Sequence, residues 1–274
     1  MASPEAAASR LFGVVGKNVL VTGGSRGIGY MIAKTFCEHG ANVVLTSRDA
    51  KACQEAAASL PRCQYVPSNV SSREGCRELA ENVSRLFDGR LHVLVNNAGT
   101  SWGEPLSRES SPRSNWGWDK VLDLNVKGIF YLSRECLSML ESTATPDDPA
   151  RIINIGSVTG MVPQEAPTHA YDVSKAAVHQ LTKKLSSDFS SKHVTVNAVA
   201  PGFVPSRMSQ GLATWGADEA NIVSRIPLGR MGNTDDMGGA CVYLASRAGA
   251  WCTGVVLNVD GGTVGSLQIP LSSL

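Results

Sequence analysis

Asn18-Val19-Leu20-Val21-Thr22-Gly23-Gly24-Ser25-Arg26-Gly27-Ile28-Gly29 passes from a short β-branched run, through a glycine-rich turn, into a stretch of helical apolar spacing over 27–39. Gly23 permits a sharp turn, Gly27 lets the backbone come close to an anion, and Gly29 allows a helix to pack tightly on the strand. A helix starting there presents unpaired N–H groups, so the turn, with Ser25 and Ile28 in it, predicts a cradle for a pyrophosphate. The glycines alone would be a weak signal. Strand, turn and helix in this order are the context that the motif requires.

The same alternation continues outward. Strand-like runs recur at Asn18–Thr22, Asn42–Thr46, Gln64–Val66, Leu91–Val95, Arg151–Ile155, Val194–Ala198 and Val255–Val259, and helical spacing fills stretches such as 27–39, 72–87, 118–141, 171–190 and 235–246. Strands alternating with helices specify an α/β fold: a single doubly wound domain of Rossmann type, with a seven-stranded parallel sheet and helices on both faces. The reading places this domain over 14–264, a flexible segment over 1–13 and a tail over 265–274. Two stretches break the rhythm, 100–117 and 203–233, both rich in Gly, Ser or Pro. Both leave the carboxyl end of a strand, where ligands bind in such sheets, so they are predicted to wall a substrate pocket.

Composition narrows the partner. A chain of 274 residues, 43% hydrophobic, can fill one core, and a net charge of +1 without a long run of one sign removes the electrostatic case for nucleic acid or an acidic membrane surface. No apolar stretch reaches membrane-spanning length. Seven cysteines without CxxC or CxxH spacing suggest neither a disulfide framework nor a metal site, hence a reducing, cytoplasmic setting and a small-molecule partner. The sequons at Asn69 and Asn82 read as chance, and the Ala/Ser-rich residues 1–12 as a frayed end, with a weak organelle-targeting role as the other reading.

Two further places carry chemistry. At the end of the second strand, Leu45-Thr46-Ser47-Arg48, an acidic side chain would bind a ribose 2'-hydroxyl; Ser47 stands there instead. Arg26 and Arg48 could clamp a 2'-phosphate, which predicts NADPH/NADP over NADH; the competing reading leaves both arginines exposed, with Asp49 offsetting Arg48. Farther on, Tyr171 and Lys175 are spaced to share one helix face. An ammonium beside the phenol favours the phenolate and would bring Tyr171 toward working pH as a general acid for a carbonyl.

The glycine loop, Asn96-Asn97-Ala98-Gly99, Ser157, Tyr171, Lys175 and Pro201-Gly202, in this order over about 14–264, resemble the short-chain dehydrogenase/reductase family. Three phrases, Asn96–Gly103, Ile153–Gly160 and Pro205–Met208, are most similar to its NADPH-dependent β-ketoacyl reductases. The resemblance implies that Ser157 bonds the substrate oxygen, Tyr171 donates the proton, Lys175 holds the ribose hydroxyls and lowers the tyrosine, and Asn125 keeps a water in a proton relay. It also implies adenine-side contacts from Asn97, Ala98, Gly99, Asn69 and Val70. Nicotinamide-side contacts are implied from Pro201, Gly202, Val204 and Ser206. Without it, Asn125 is an ordinary helix-interior residue and Ser157 a cap on the following turn. Asn69 replaces the usual acid and Ser206 the usual threonine. Tyr171 lies fourteen positions after Ser157, one more than usual, which predicts a bulged loop over 158–170.

Trp102, Met161, Phe203, Met208 and Trp215 are candidate pocket residues, suited to an acyl chain, polyketide or terpenoid ketone, with ordinary packing as the other reading. Trp116 and Trp118 are expected to anchor a helix, Trp251 the sheet edge, and His169 to lie in an exposed loop. Ile226–Gly232 resembles the family's return from a lid, and the family implies a homo-oligomer, dimer or tetramer. The expected function is NADPH-dependent reduction of a 3-oxoacyl thioester or other apolar ketone. The alternatives are a polyol or sugar-acid dehydrogenase working toward oxidation, and a non-catalytic NADP(H)-binding scaffold, against which the intact Asn125, Ser157, Tyr171, Lys175 set argues.

Overall fold

The computed structural model describes residues 3–104, 116–206 and 218–266. Along the chain run α1 (Pro4–Phe12), β1 (Asn18–Thr22), α2 (Gly27–Glu38), β2 (Asn42–Thr46), α3 (Ala50–Ala58), β3 (Cys63–Tyr65), α4 (Arg73–Leu86), β4 (Val93–Asn96), α5 (Trp116–Leu122), α6 (Gly128–Glu135), α7 (Leu137–Glu141), β5 (Ala150–Ile155), α8 (His169–Phe189), β6 (Val194–Pro201), α9 (Glu219–Ser224), α10 (Thr234–Ala245) and β7 (Val256–Val259). The strands form one parallel sheet in the order β3-β2-β1-β4-β5-β6-β7. The chain winds outward from β1 to β3, returns to β4 and winds out the other way. The order therefore reverses between β1 and β4, and the loops diverge there to open a crevice at the carboxyl ends.

Strand side chains alternate between two cores. Val19, Val21, Val93, Val95 and Ile153 face α2 and α10, packing with Ile32, Phe36, Met237 and Cys241. Leu20, Leu94, Ile152 and Val196 point the other way, toward Leu79 and Val83 of α4, Leu132 of α6 and Leu185 of α8. Burial on both faces is why these strands read as continuous apolar runs, and each large side chain contributes about 1.5–3 kcal/mol by leaving water.

A buried polar ladder fixes the register. Asn96 and Asn154 are paired across β4 and β5. Asn96 Nδ2 donates to Asn154 Oδ1 at 2.9 Å and to Ser133 Oγ at 3.3 Å, and Asn154 Nδ2 donates to Thr182 Oγ1 at 2.9 Å. The sheet is thereby tied to α6 and α8. Thr22 does the same at the crevice: its Oγ1 accepts from the backbone N–H groups of Asn97 and Ala98, both at 2.9 Å, so the loop after β4 sits on the end of β1.

The structure departs from the sequence reading in four places. Pro4–Phe12, within the segment expected to be flexible, is helical, with Ser3 Oγ capping Ala6 N at 3.2 Å and proline in the first turn, and it lies against Arg247–Gly249. The helix expected over 118–141 is divided into α5, a π-helical stretch Asp123–Lys127, α6 and α7. Helix α8 begins at His169, two residues before Tyr171, so His169 belongs to a helix and not to a loop. Trp251, expected against the sheet edge, is 96% exposed. Trp118 is half-buried in α5, while the side chain of Trp116 lies outside the described residues.

Candidate active site

The crevice at the switch in strand order is a cleft of about 380 Å³. Every residue expected to touch a cofactor lines it, from Gly23 and Arg26 through Ser47, Asn69 and Gly99 to Gly202 and Ser206. Arg26 occupies the N-cap of α2 in an extended conformation without a side-chain cap bond, which leaves the first-turn N–H groups for a ligand. Gly27 has φ +56°, a left-handed conformation suited to glycine. A Cβ on Gly29 would stand 2.3 Å from Asn97 Nδ2 and from Gly23 O, so the turn closes only with glycine there. Ser25 Oγ donates to Ser47 Oγ at 3.0 Å, joining the glycine turn to the end of β2 beside Arg48. Open helix N–H groups, two hydroxyls and two guanidiniums suit a dinucleotide carrying an additional phosphate.

Asn69 is placed in the cleft, but its Oδ1 already accepts from Ser71 N at 3.3 Å and Ser71 Oγ at 2.8 Å. The acceptor expected for an adenine amine is thus engaged by its own turn. Asp49, which also lines the cleft, accepts from Ala52 N at 3.0 Å as the N-cap of α3, so part of its charge faces that helix end.

Ser157, Tyr171 and Lys175 converge on the same cleft. Ser157 follows β5 and caps the 3-10 turn Val158–Gly160, its Oγ accepting from Thr159 N at 3.2 Å and Thr159 Oγ1 at 3.1 Å. The capping reading and the placement in the cleft therefore hold together. The Ser157 hydroxyl and the Tyr171 phenol line the same part of the cleft, and Ser157 favours ionisation of the phenol. Lys175, one turn later on α8, donates to Ile155 O at 2.7 Å, with Nζ 5.5 Å from the Tyr171 ring centroid.

The electrostatics correct one expectation. Burial pushes the Tyr171 phenol up to about 12; the bond to Ser157 pulls the other way and the neighbouring Asp172 charge adds to the rise. Lys175 is itself drawn down to about 8 by burial. Desolvation dominates the phenol, and the ammonium is held against the Ile155 carbonyl.

Asn125 lies below the cleft and not in its lining, fully buried in the π-helical stretch. Its Nδ2 donates to Thr100 O at 3.0 Å and Ser174 Oγ at 2.9 Å, and its Oδ1 accepts from Thr100 N at 2.9 Å. Ser174 Oγ in turn donates to Tyr171 O at 2.6 Å. The Asn125 side chain thus holds the start of α8 against the loop after β4. The π-turn that carries it is a local distortion often found at functional sites.

Of the expected pocket residues, Phe203 lines the cleft; Trp102 and Met161 do not. Trp102 lies flat on α5, where a Cβ on Gly117 would fall 2.1 Å from its ring, and Lys120 Nζ stands 5.9 Å from its centroid. Met161 is 38% exposed on the loop that absorbs the longer interval before Tyr171. Met208 and Trp215 lie outside the described residues. The wall beside Ser157 and Tyr171 is mixed, with Leu124 and Val158 alongside Thr159, Gln164 and Thr168. Sequence reasoning missed these polar residues; the longer interval was the only signal that something differed there. It also missed His179, buried one turn beyond Lys175, where a Cβ on Gly156 would stand 2.3 Å from its Nε2.

The family model described as enoyl-(acyl carrier protein) reductase matches residues 23–264. The chain is 46% identical over 255 residues to the rhamnolipids biosynthesis 3-oxoacyl-[acyl-carrier-protein] reductase of Pseudomonas aeruginosa, covering 92% of this chain and 97% of that one. Among solved structures it is similar to the Pseudomonas aeruginosa RhlG/NADP active-site complex, with a TM-score of 0.86, 41% identity, and coverage of 93% and 99% of the two chains. It is also similar to a putative NAD(P)-dependent gluconate 5-dehydrogenase from Beutenbergia cavernae with bound NADP, with a TM-score of 0.82, 33% identity, and coverage of 93% and 99%.

Proposed function

The chain belongs to the short-chain dehydrogenase/reductase family, and we propose that it is an NADPH-dependent reductase converting a 3-oxoacyl thioester or another apolar ketone to a secondary alcohol. The observation that carries this reading is the meeting, in one cleft, of the glycine turn with Ser157, Tyr171 and Lys175. Bound there, the cofactor supplies the hydride. Arg26 and Arg48 take its 2'-phosphate, a choice supported by Ser47 in place of an acid and by the NADP bound to RhlG. Ser157 and Tyr171 hold the substrate oxygen, and Tyr171 gives it the proton; a fixed donor and a positioned acid that is protonated at neutral pH serve a developing alkoxide. Lys175 holds the ribose hydroxyls and keeps positive charge beside the phenol. Asn125, through Thr100 and Ser174, keeps the start of α8 in place.

The same reading extends to assembly and location. Among the described residues the outer edge of β7 is unpaired and Trp251, Leu228 and Val255 are exposed, which supports a homo-oligomer. Seven free thiols support the cytoplasm. Among the described residues no helix is long and apolar enough to cross a membrane.

The test is NADPH oxidation, followed by absorbance, across a β-ketoacyl thioester, an apolar cyclic ketone, a quinone and a keto-gluconate, each repeated with NADH. Turnover of the thioester or the apolar ketone with NADPH alone is expected. Tyr171→Phe should lose roughly 10²–10⁴ in turnover while binding NADPH normally. A fully active Tyr171→Phe variant would overturn the mechanism, and silence across the panel with tight NADPH binding would favour a scaffold.

A further inference from the structure

Resting on the reductase reading, we propose that Thr159 is a positioning residue that fixes the direction in which Ser157 gives its proton. A serine hydroxyl has one proton and two lone pairs. Thr159 addresses Ser157 Oγ twice, from its backbone N at 3.2 Å and from its Oγ1 at 3.1 Å. With both lone pairs engaged, Ser157 retains only its proton, which is left for the cleft that Ser157 lines together with Tyr171. When a carbonyl oxygen enters between them, the same proton is already aimed at it. A serine without these two donors can instead turn its proton back into the loop, where it stabilises nothing that develops during reduction.

A cluster on the first turn of α8 keeps Thr159 available. Its hydroxyl is also within reach of the Asp172 carboxyl, a competitor for its only proton. That carboxyl is loaded from the other side: Asp172 Oδ1 accepts from Gln164 Nε2 at 2.9 Å and from Thr168 Oγ1 at 3.2 Å. Gln164 Nε2 also donates to Thr168 Oγ1 at 2.6 Å, so the three side chains hold one another. With Asp172 supplied by Gln164 and Thr168, the Thr159 hydroxyl serves Ser157. The residues that the longer interval adds between Ser157 and Tyr171 thereby acquire a task, which is to keep the serine pointed at the reacting oxygen.

The test compares Thr159→Val, which keeps the shape and loses the hydroxyl, with Thr159→Ser, which restores it. The expected result is a kcat lowered about tenfold in Thr159→Val, the size of one lost hydrogen bond, with KM for NADPH unchanged and kcat recovered in Thr159→Ser. A second readout needs no turnover. The carbon-13 Cζ resonance of Tyr171, identified by its absence in Tyr171→Phe, should move in Thr159→Val and stay in Thr159→Ser. An unchanged kcat and an unmoved resonance in Thr159→Val would overturn the proposal, as would equal losses in both variants, since the hydroxyl would then not be what matters. A wild-type protein that reduced no carbonyl would end the reductase reading, and the resonance would still decide the role of Thr159.

Discussion

Tyr171 keeps its proton far into the alkaline range because burial denies the phenolate its hydration, and the bond to Ser157 offsets only part of that loss. Carbonyl reduction needs the phenol; alcohol oxidation needs the phenolate. With the phenol at about 12, the form present at neutral pH is the one that reduction uses. We therefore expect initial rates of reduction to be nearly flat between pH 6 and 8, and rates of oxidation of the product alcohol to climb with pH from 7 to 10. Measuring both directions over that range checks the assignment, and an oxidation rate that levelled off below pH 8 would favour the polyol dehydrogenase instead. The two arginines make a second, separable case. Hydrogen bonds to a charged phosphate are worth about 1.5–3 kcal/mol each. Arg26→Ala and Arg48→Ala should each raise KM for NADPH by roughly 10- to 100-fold and leave that for NADH nearly unchanged, and equal effects on both cofactors would remove the 2'-phosphate clamp.

Elements, in turn, are placed by polar contacts that no local pattern announces. Asn154 sits at the centre of the ladder from Asn96 to Thr182, buried on all sides. Asn154→Ala removes two hydrogen bonds, leaves their partners short and opens a small cavity, at a cost of about 2–4 kcal/mol. The melting temperature should fall by roughly 5–15 °C, and a drop under one degree would mean that the ladder is not what holds β4, β5 and α8 together. The strands and the glycine turn were legible because their signals are local: continuous β-branched apolar runs for one, a strand-turn-helix context for the other. The π-helical stretch was not, because its cause is tertiary. Asn125 is held by Thr100 and Ser174, both far along the chain, and periodicity over 118–141 cannot register a widened turn. Trp251 misled for a related reason: an aromatic side chain beside a strand reads as buried only if something covers the edge. Thr159, Gln164 and Thr168 lie between regular elements, where neither periodicity nor propensity speaks, and their importance comes from meeting Ser157 and Asp172 in space.

Across the whole molecule, two histidines at opposite ends of the sheet couple folding to pH. His92, beside β4's amino end, accepts Asn18 N on its Nδ1 at 2.9 Å, which requires that nitrogen to be unprotonated. Burial, with Lys17 and Arg90 nearby, draws it down to about 4. His179 packs beneath the Gly156–Gly160 turn, and burial, with Lys175 and Lys183 nearby, draws it to about 4 as well. Both are neutral when folded, whereas an unfolded histidine takes up a proton near pH 6.5. The unfolded chain thus binds more protons between about pH 4 and 6.5, and stability present above 6.5 is lost progressively as the pH falls through that window. By pH 5 the loss is about 1–2 kcal/mol for each histidine, or roughly 5–15 °C in melting temperature for the two together. Asp172 works in the opposite sense. Burial holds its carboxyl above the usual range against the bonds from Gln164 and Thr168, so proton uptake by the folded state recovers part of the loss at the acid end. Because the histidines are far apart and share no partner, His92→Gln and His179→Gln should each flatten the profile and do so additively. Thermal unfolding of the three proteins at pH 7, 6 and 5 decides it. A melting temperature that held constant from pH 7 to 5, or variants that kept the parent's slope, would mean that neither ring is neutral for the reason given.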